Sequence, residues 1–158
     1  MAAKVILDSI SPDGVRLTTL EVEIHRFILP EFNTHREFSR NSASSRAIPF
    51  KKIVDRIKER IAYPYKWGTN QPGMQAGPPL EGEDVEKAKL IWKASFESAL
   101  EHAYKLQKLN VHKEVINRLL EPYMFHKIIV TATSYENFFN LRCSDLAQEE
   151  IRIPAAVS

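Results

Sequence analysis

Residues 34–46 read Thr-His-Arg-Glu-Phe-Ser-Arg-Asn-Ser-Ala-Ser-Ser-Arg, which packs three arginines, four serines, an asparagine and a histidine into thirteen positions. Guanidinium groups make charge-assisted, often two-pronged hydrogen bonds to phosphate oxygens, and serine hydroxyls with backbone amides complete such a cradle. The chemistry suits a phosphate monoester or a diphosphate. The same composition also describes a solvated polar loop, and composition alone leaves both readings open. Other chemistry is poorly supplied. His25, His102, His112 and His126 show no metal-ligand spacing, so no metal centre is expected. Cys143 is the single cysteine, which excludes an intrachain disulfide and a thiolate cluster and suits a reducing compartment.

A polar segment of this kind needs elements to hold it. Residues 4–10 and 15–28 read as two strands joined by Ser11-Pro12-Asp13-Gly14, where proline presets φ and glycine accepts a positive one. Leu20, Val22 and Ile24 alternate with Glu21, Glu23 and His25, the pattern of a half-buried strand that Pro30 ends. Phe50, Ile53, Val54, Ile57 and Ile61 fall at helical spacing over 50–62, with Lys and Arg on the other face, and Pro64 stops the helix. Residues 66–82 hold four of the five glycines and three prolines, a long loop of the sort that serves as a lid or binding loop or is disordered. A long amphipathic helix is expected over 83–109, a short one over 112–120, and a short strand over 128–132. Ser134 is placed to cap a helix over 135–141, and Asp145 another over 146–152, cut short by Pro154.

The whole-chain properties exclude other classes. A net charge of +2 on 158 residues is too small for a nucleic-acid binder or a polybasic membrane protein, and the longest apolar runs are far below a membrane span. The N-terminus lacks the pattern of a secretory leader. A cytoplasmic protein is expected, or one of the host cytoplasm if the source is viral.

Spacing narrows the reading. His35-Arg36, seven residues, Ser44, one residue and Arg46 resembles the signature of the flavin-dependent thymidylate synthase (ThyX) family, which reads Arg-His-Arg, seven residues, Ser, often with Arg two positions on. Glu114-Val115, with Arg118 four residues before Pro122, is similar to that family's Glu-Val-Ala-Arg…Leu-Pro helix. Asn137-Phe-Phe-Asn-Leu-Arg142 resembles its Asn-Phe-Leu-Asn-Leu-Arg stretch, and Ala147-Gln148 followed by Glu150-Ile151 resembles the opening of its last helix. The blocks occur in the family's order and cover roughly residues 31–152.

The resemblance implies an α+β fold, a small antiparallel sheet with packed helices, and one ThyX-like domain over 1–158. Within it lie an N-terminal hairpin (4–28), the motif segment (31–49), a helical part (50–122) and a C-terminal strand with helices (124–153). It implies conversion of dUMP to dTMP, with FAD as cofactor, methylene-tetrahydrofolate as carbon donor and NADPH as reductant. It also implies a homotetramer whose active sites lie at subunit interfaces. A pyrimidine hydroxymethylase and a non-catalytic nucleotide-binding remnant of the same fold stay open beside it. By correspondence Arg142 is the activating residue, and Ser44, Arg46 and Arg118 join it as dUMP ligands. His35, Arg36, Ser42 and Asn137 are flavin contacts, residues 131–133 occupy the place of another, and Cys143 is structural. The chain departs from the pattern at Thr34, where the family has its first Arg, at Ser42, where it has an acid, and at Glu31, where Gln is common. Asn117 reads as a one-residue insertion before Arg118. The family's N-terminal helices are missing from this reading, which makes the chain a short or divergent member.

Overall fold

The computed structural model describes residues 2–147 and 150–152. The fold is α+β, and the chain divides into two compact units, 1–44 with 125–158, and 45–124.

The first unit is built on four strands, β1 (Ala2–Ile10), β2 (Arg16–His25), β3 (Ser39–Ser42) and β4 (Phe125–Ala132). They lie in the order β1-β2-β4-β3 with every neighbouring pair antiparallel. The β1–β2 turn closes on the Ser11 N–H to Val15 carbonyl bond (2.9 Å), and Gly14 takes the φ of 80° that a side chain would resist. Leu20 stands opposite Val130 and Val22 opposite Ile128, so their side chains share one face of the sheet. That face is covered by α1 (Leu29–Asn33) and α5 (Glu136–Arg142), which bring Phe32 and Phe138 into a core shared with Ile24, Ile28 and Ile151. Burying apolar surface there supplies most of the unit's stability, at about 25 cal/mol per Å². On the opposite face Glu21 sits between Lys4 (3.6 Å) and Lys127 (3.5 Å), an exposed set of charges that keeps this side wet.

The second unit is helical. In α2 (Phe50–Glu59), Phe50, Ile53, Val54 and Ile57 are buried at the spacing of one helical face. They pack with Phe96 and Ala103 of α3 (Glu83–Lys108), and with Ile116, Leu120 and Tyr123. The last three come from α4 (Lys113–Ile116) and the 3-10 segment Asn117–Tyr123 that continues it. Acids at Glu83, Asp84 and Glu86 and bases at Lys105 and Lys108 match the dipole of α3 at both ends. Among the described residues, no helix is long and apolar enough to cross a membrane.

Several elements differ from their sequence reading. The second strand ends at His25 rather than at residue 28, because residues 26–28 tighten into a 3-10 turn that buries Ile28, and Phe32 four positions on. Pro30 therefore sits in the first turn of α1, where its missing N–H costs nothing. The fourth strand begins at Phe125 instead of 128, since β2 pairs with it as far as His25 opposite Phe125. Helix α2 stops at Glu59, and the chain then extends so that the Ala62 N–H can bond the Tyr123 carbonyl (2.9 Å). The loop over 66–82 is ordered. Gly68 bridges Pro79, the Leu80 N–H reaches the Trp67 carbonyl (2.7 Å), and a Cβ on Gly68 would collide with that of Ala76. Tyr135, not Ser134, is the N-cap of α5, and it makes no capping bond. Its hydroxyl instead donates to the Thr18 carbonyl (3.0 Å), with that of Val130 at 3.2 Å. Residues 150–152 are helical, but Asp145 and Leu146 form a turn and Ala147 a bend, so the helix expected from 146 does not begin there; Gln148 and Pro154 lie outside the described residues.

Candidate active site

The turn between α1 and β3 faces α5 across a cavity of about 300 Å³, with His35, Arg36, Phe38, Asn137, Phe138 and Arg142 among its walls. Four of the residues singled out from sequence, His35, Arg36, Asn137 and Arg142, are therefore brought together from two segments about a hundred positions apart. Two physical causes place them. Phe32, Phe38 and Phe138 form a tilted and edge-on aromatic cluster under the turn, with ring centroids 5.2–6.0 Å apart. The one-sided packing of α5 on that cluster then leaves Asn137, Leu141 and Arg142 on its cavity side.

Arg142 is held from two directions. Its Nε donates to His35 Nε2 at 2.8 Å, and its Nη2 to Thr34 Oγ1 at 3.3 Å, with the Glu31 carbonyl at 3.5 Å. Among the described residues Nη1 takes no hydrogen-bond partner, so one arm of this cavity-lining guanidinium stays available. The Arg36 guanidinium and the Asn137 amide, both exposed, are likewise without hydrogen-bond partners among the described residues. The site thus offers two cations against one carboxylate, Glu37, with one amide and an aromatic wall. That set suits an anionic, planar ligand.

His35 is buried, 8 % exposed, with its ring stacked on Phe38 (5.7 Å) and edge-on to Phe138 (4.9 Å). Because Nε2 accepts from Arg142, the ring is neutral with its proton on Nδ1. Burial, then the charges of Arg142 and Arg40, push its pKa below the ordinary 6.5, against a smaller opposing pull from Glu37. The unfolded chain therefore takes up this proton more readily than the folded one, and the contribution of His35 to stability is lost as pH falls below the ordinary value. We expect the melting temperature to drop between about pH 7 and about pH 5.5. His35→Gln, which keeps an acceptor but cannot be protonated, should flatten that slope in a thermal scan. Parallel slopes in the two proteins would refute this role for His35.

The other expected residues lie elsewhere. Ser42, on β3 opposite Ile128, and Ser44 just beyond it are exposed and do not line the cavity. Thr131 is engaged in the sheet, its hydroxyl 2.9 Å from that of Thr19. Cys143 caps α5 at an exposed position, so it packs into no core and the structural role expected for it is not met. Arg46 and Arg118 belong to the second unit, both exposed. There Asn117, fully buried, donates to the Ser45 carbonyl (2.8 Å) and the Ile48 carbonyl (2.9 Å), while Ser45 Oγ donates to Glu121. Arg46 and Arg118 are thereby set on adjoining turns, each one residue from an end of the same hydrogen bond. The residue read as an insertion is a clamp.

Comparison with known proteins places the chain in a family. The family model described as thymidylate synthase complementing protein matches residues 16–157. The chain belongs to that family. The match extends beyond the motif blocks on both sides and takes in β2, which carries no motif residue. No curated protein matches the chain in sequence. Among solved structures, the fold is similar to a crystal structure of PolB, a UMP/dUMP methylase from Streptomyces cacaoi, bound with 5-Br UMP. That likeness has a TM-score of 0.74 at 16% identity, covering 98% of this chain and 85% of that one. A second PolB structure, bound with 5-Br dUMP, gives a TM-score of 0.65 at 16% identity, covering 89% of this chain and 63% of that one. A likeness of this kind establishes a shared fold.

Proposed function

We propose that the chain is an enzyme that methylates the uracil ring of dUMP, using FAD, methylene-tetrahydrofolate and NADPH. The observation that carries this reading is Arg142, pinned by His35 and Thr34 with Nη1 turned loose in a cavity of a thymidylate synthase complementing protein. A fixed cation beside the uracil edge favours ionisation of the ring nitrogen and raises electron density at the carbon to be alkylated, without reorganising during the reaction. Ser44, Arg46 and Arg118, none of which lines this cavity, carry hydroxyl and guanidinium donors of the type a phosphate monoester requires. Arg36 and Asn137, without hydrogen-bond partners among the described residues, fit the anionic and polar edges of a flavin dinucleotide, and Ser42, outside the cavity lining, would be a further polar contact if the dinucleotide extends over β3. Bound there, the flavin would supply the hydride. A cavity of about 300 Å³ is at the lower limit of ligand sites and encloses only part of a dinucleotide. Further surface from other copies of the chain, in a homotetramer, would complete it.

The test is direct. Purified protein incubated with FAD and passed through a desalting column should stay yellow, and NADPH oxidation should accelerate on adding dUMP and methylene-tetrahydrofolate. Protein that binds no flavin, or turnover indifferent to dUMP, would remove the proposal. A second reading takes UMP as substrate alongside dUMP, since the structural neighbours are described as UMP/dUMP methylases. Running both nucleotides and weighing the products decides it, and the same masses separate a methyl from a hydroxymethyl product, which differ by one oxygen.

A further inference from the structure

Arg40 belongs to no motif position, yet its placement is unusual. It stands opposite Val130 in the β3–β4 ladder, and Val130 is buried, so the arginine shares the core-facing side of an edge strand. A half-buried guanidinium on that side is costly unless its donors are satisfied. Its Nη1 donates to the carbonyls of His35 (2.9 Å) and Asn33 (3.0 Å), with that of Phe32 at 3.4 Å. These are the last carbonyls of α1 and the turn after it; those of Phe32 and His35 also accept from the N–H groups of His35 (3.3 Å) and Phe38 (3.5 Å), and the guanidinium adds a charged donor at this helix end. The side chain therefore ties the rigid sheet to the stretch of backbone carrying His35, and His35 carries Arg142.

We propose that Arg40 is the positioning residue of this site: by gripping the carbonyls around His35 from β3, it fixes the His35 ring and so the aim of the Arg142 guanidinium. The inference rests on the reading of this cavity as the pyrimidine site. It also accounts for a departure from the family pattern. Where the family has its first Arg, Thr34 accepts from Arg142 Nη2 and donates to the Glu31 carbonyl (2.7 Å). The segment keeps a third arginine, but uses it behind the site, on backbone, rather than in front of it on ligand. The charged groups acting on His35 are Arg142 from α5, Arg40 from β3 and Glu37 from the turn itself. Removing Arg40 thus takes away both a mechanical hold and one of the two cations that keep the ring neutral.

The experiment uses the full chain with Arg40→Gln and Arg40→Lys, read by nitrogen NMR of the His35 ring and the Arg142 Nε–H, and by steady-state kinetics with dUMP. In Arg40→Gln the His35 titration midpoint should move up, and exchange of the Arg142 Nε–H with water should speed at least about tenfold. The kcat should fall by roughly 10- to 100-fold with a much smaller change in KM, as expected for misaimed catalytic geometry. Arg40→Lys restores the charge, but its shorter stem ends short of where Nη1 meets the three carbonyls, so it should recover the midpoint but only part of kcat. If Arg40→Gln does not fold, the lysine variant alone decides through the Arg142 Nε–H exchange rate. An unshifted midpoint together with unchanged Arg142 exchange in folded Arg40→Gln would overturn the proposal. So would full recovery of kcat in Arg40→Lys. The NMR arm needs no turnover, so an inactive wild-type protein would sink the reading of the site while leaving the Arg40 hold to be judged on the midpoint and exchange data.

Discussion

Replacing Arg142 by alanine should lower turnover of dUMP by about 10²- to 10³-fold, the loss typical when one preplaced donor to a developing charge is removed. The size follows from how the side chain is spent. Nε and Nη2 are committed to His35, Thr34 and Glu31, which immobilise the group, and Nη1 is left to act. Flavin should be retained, because Arg36 and Asn137 line the same cavity and are untouched. The alanine variant also strips His35 of its donor while the ring stays buried, so thermal melts must accompany the kinetics. Arg142→Lys is the informative partner. It preserves the charge but cannot reach His35 and the cavity at once, and it should fall between wild type and alanine. A turnover number within about threefold of wild type in Arg142→Ala, well inside the loss expected of such a donor, would show that the catalytic assignment is wrong.

The legible parts of the fold were those in which local chemistry and tertiary role agree. Pro12-Asp13-Gly14 announces a turn because its residues fit no strand, and the alternation from Leu20 to Ile24 survives because β2 has one buried face. Strand β3 was invisible for the opposite reason. Ser39–Ser42 lies at the sheet edge, pairs through its backbone, and carries no apolar alternation to read. The start of β4 was hidden by His126, a buried polar residue at a position where the pattern calls for an aliphatic one.

For the site, spacing within each block located His35, Arg36, Asn137 and Arg142, but no local pattern can reveal a bond between residues 107 positions apart. Only the family's order of blocks put both ends in one cavity. The residues that hold the functional ones escaped, namely Thr34 as an acceptor for Arg142, Arg40 on the α1 carbonyls, and Asn117 on the turn at Arg46. One of them had a signal. Asn117 falls three positions before Leu120 and beside Ile116, on the apolar side of its segment, and a lone amide among core residues is there to satisfy backbone. The other two are polar residues in a polar segment, indistinguishable by type from neighbours that do nothing.

Phe138→Ala is expected to destabilise the first unit by about 3–5 kcal/mol. The ring is 8 % exposed and is the hub of the aromatic cluster, with centroids 5.2 Å from Phe38, 5.5 Å from Phe139, 6.0 Å from Phe32 and 4.9 Å from His35. Truncation removes its buried area and several edge-on contacts worth about 0.5–1.5 kcal/mol each. Helix α5 is only seven residues long and cannot stand on its own propensity, so the anchor it loses is most of what fixes it. The same ring is a wall of the cavity, and its loss frees His35 to rotate away from Arg142 Nε. Stability and aim should therefore fail together. Phe138→Leu, which refills much of the volume, should return more of the stability than of the turnover, because leucine cannot reproduce the edge-on contact that orients the imidazole. Urea unfolding midpoints set beside kcat for the two variants make the comparison. A loss below about 1 kcal/mol in the alanine variant, far short of what truncating a buried phenylalanine costs, would mean that the cluster does not anchor α5.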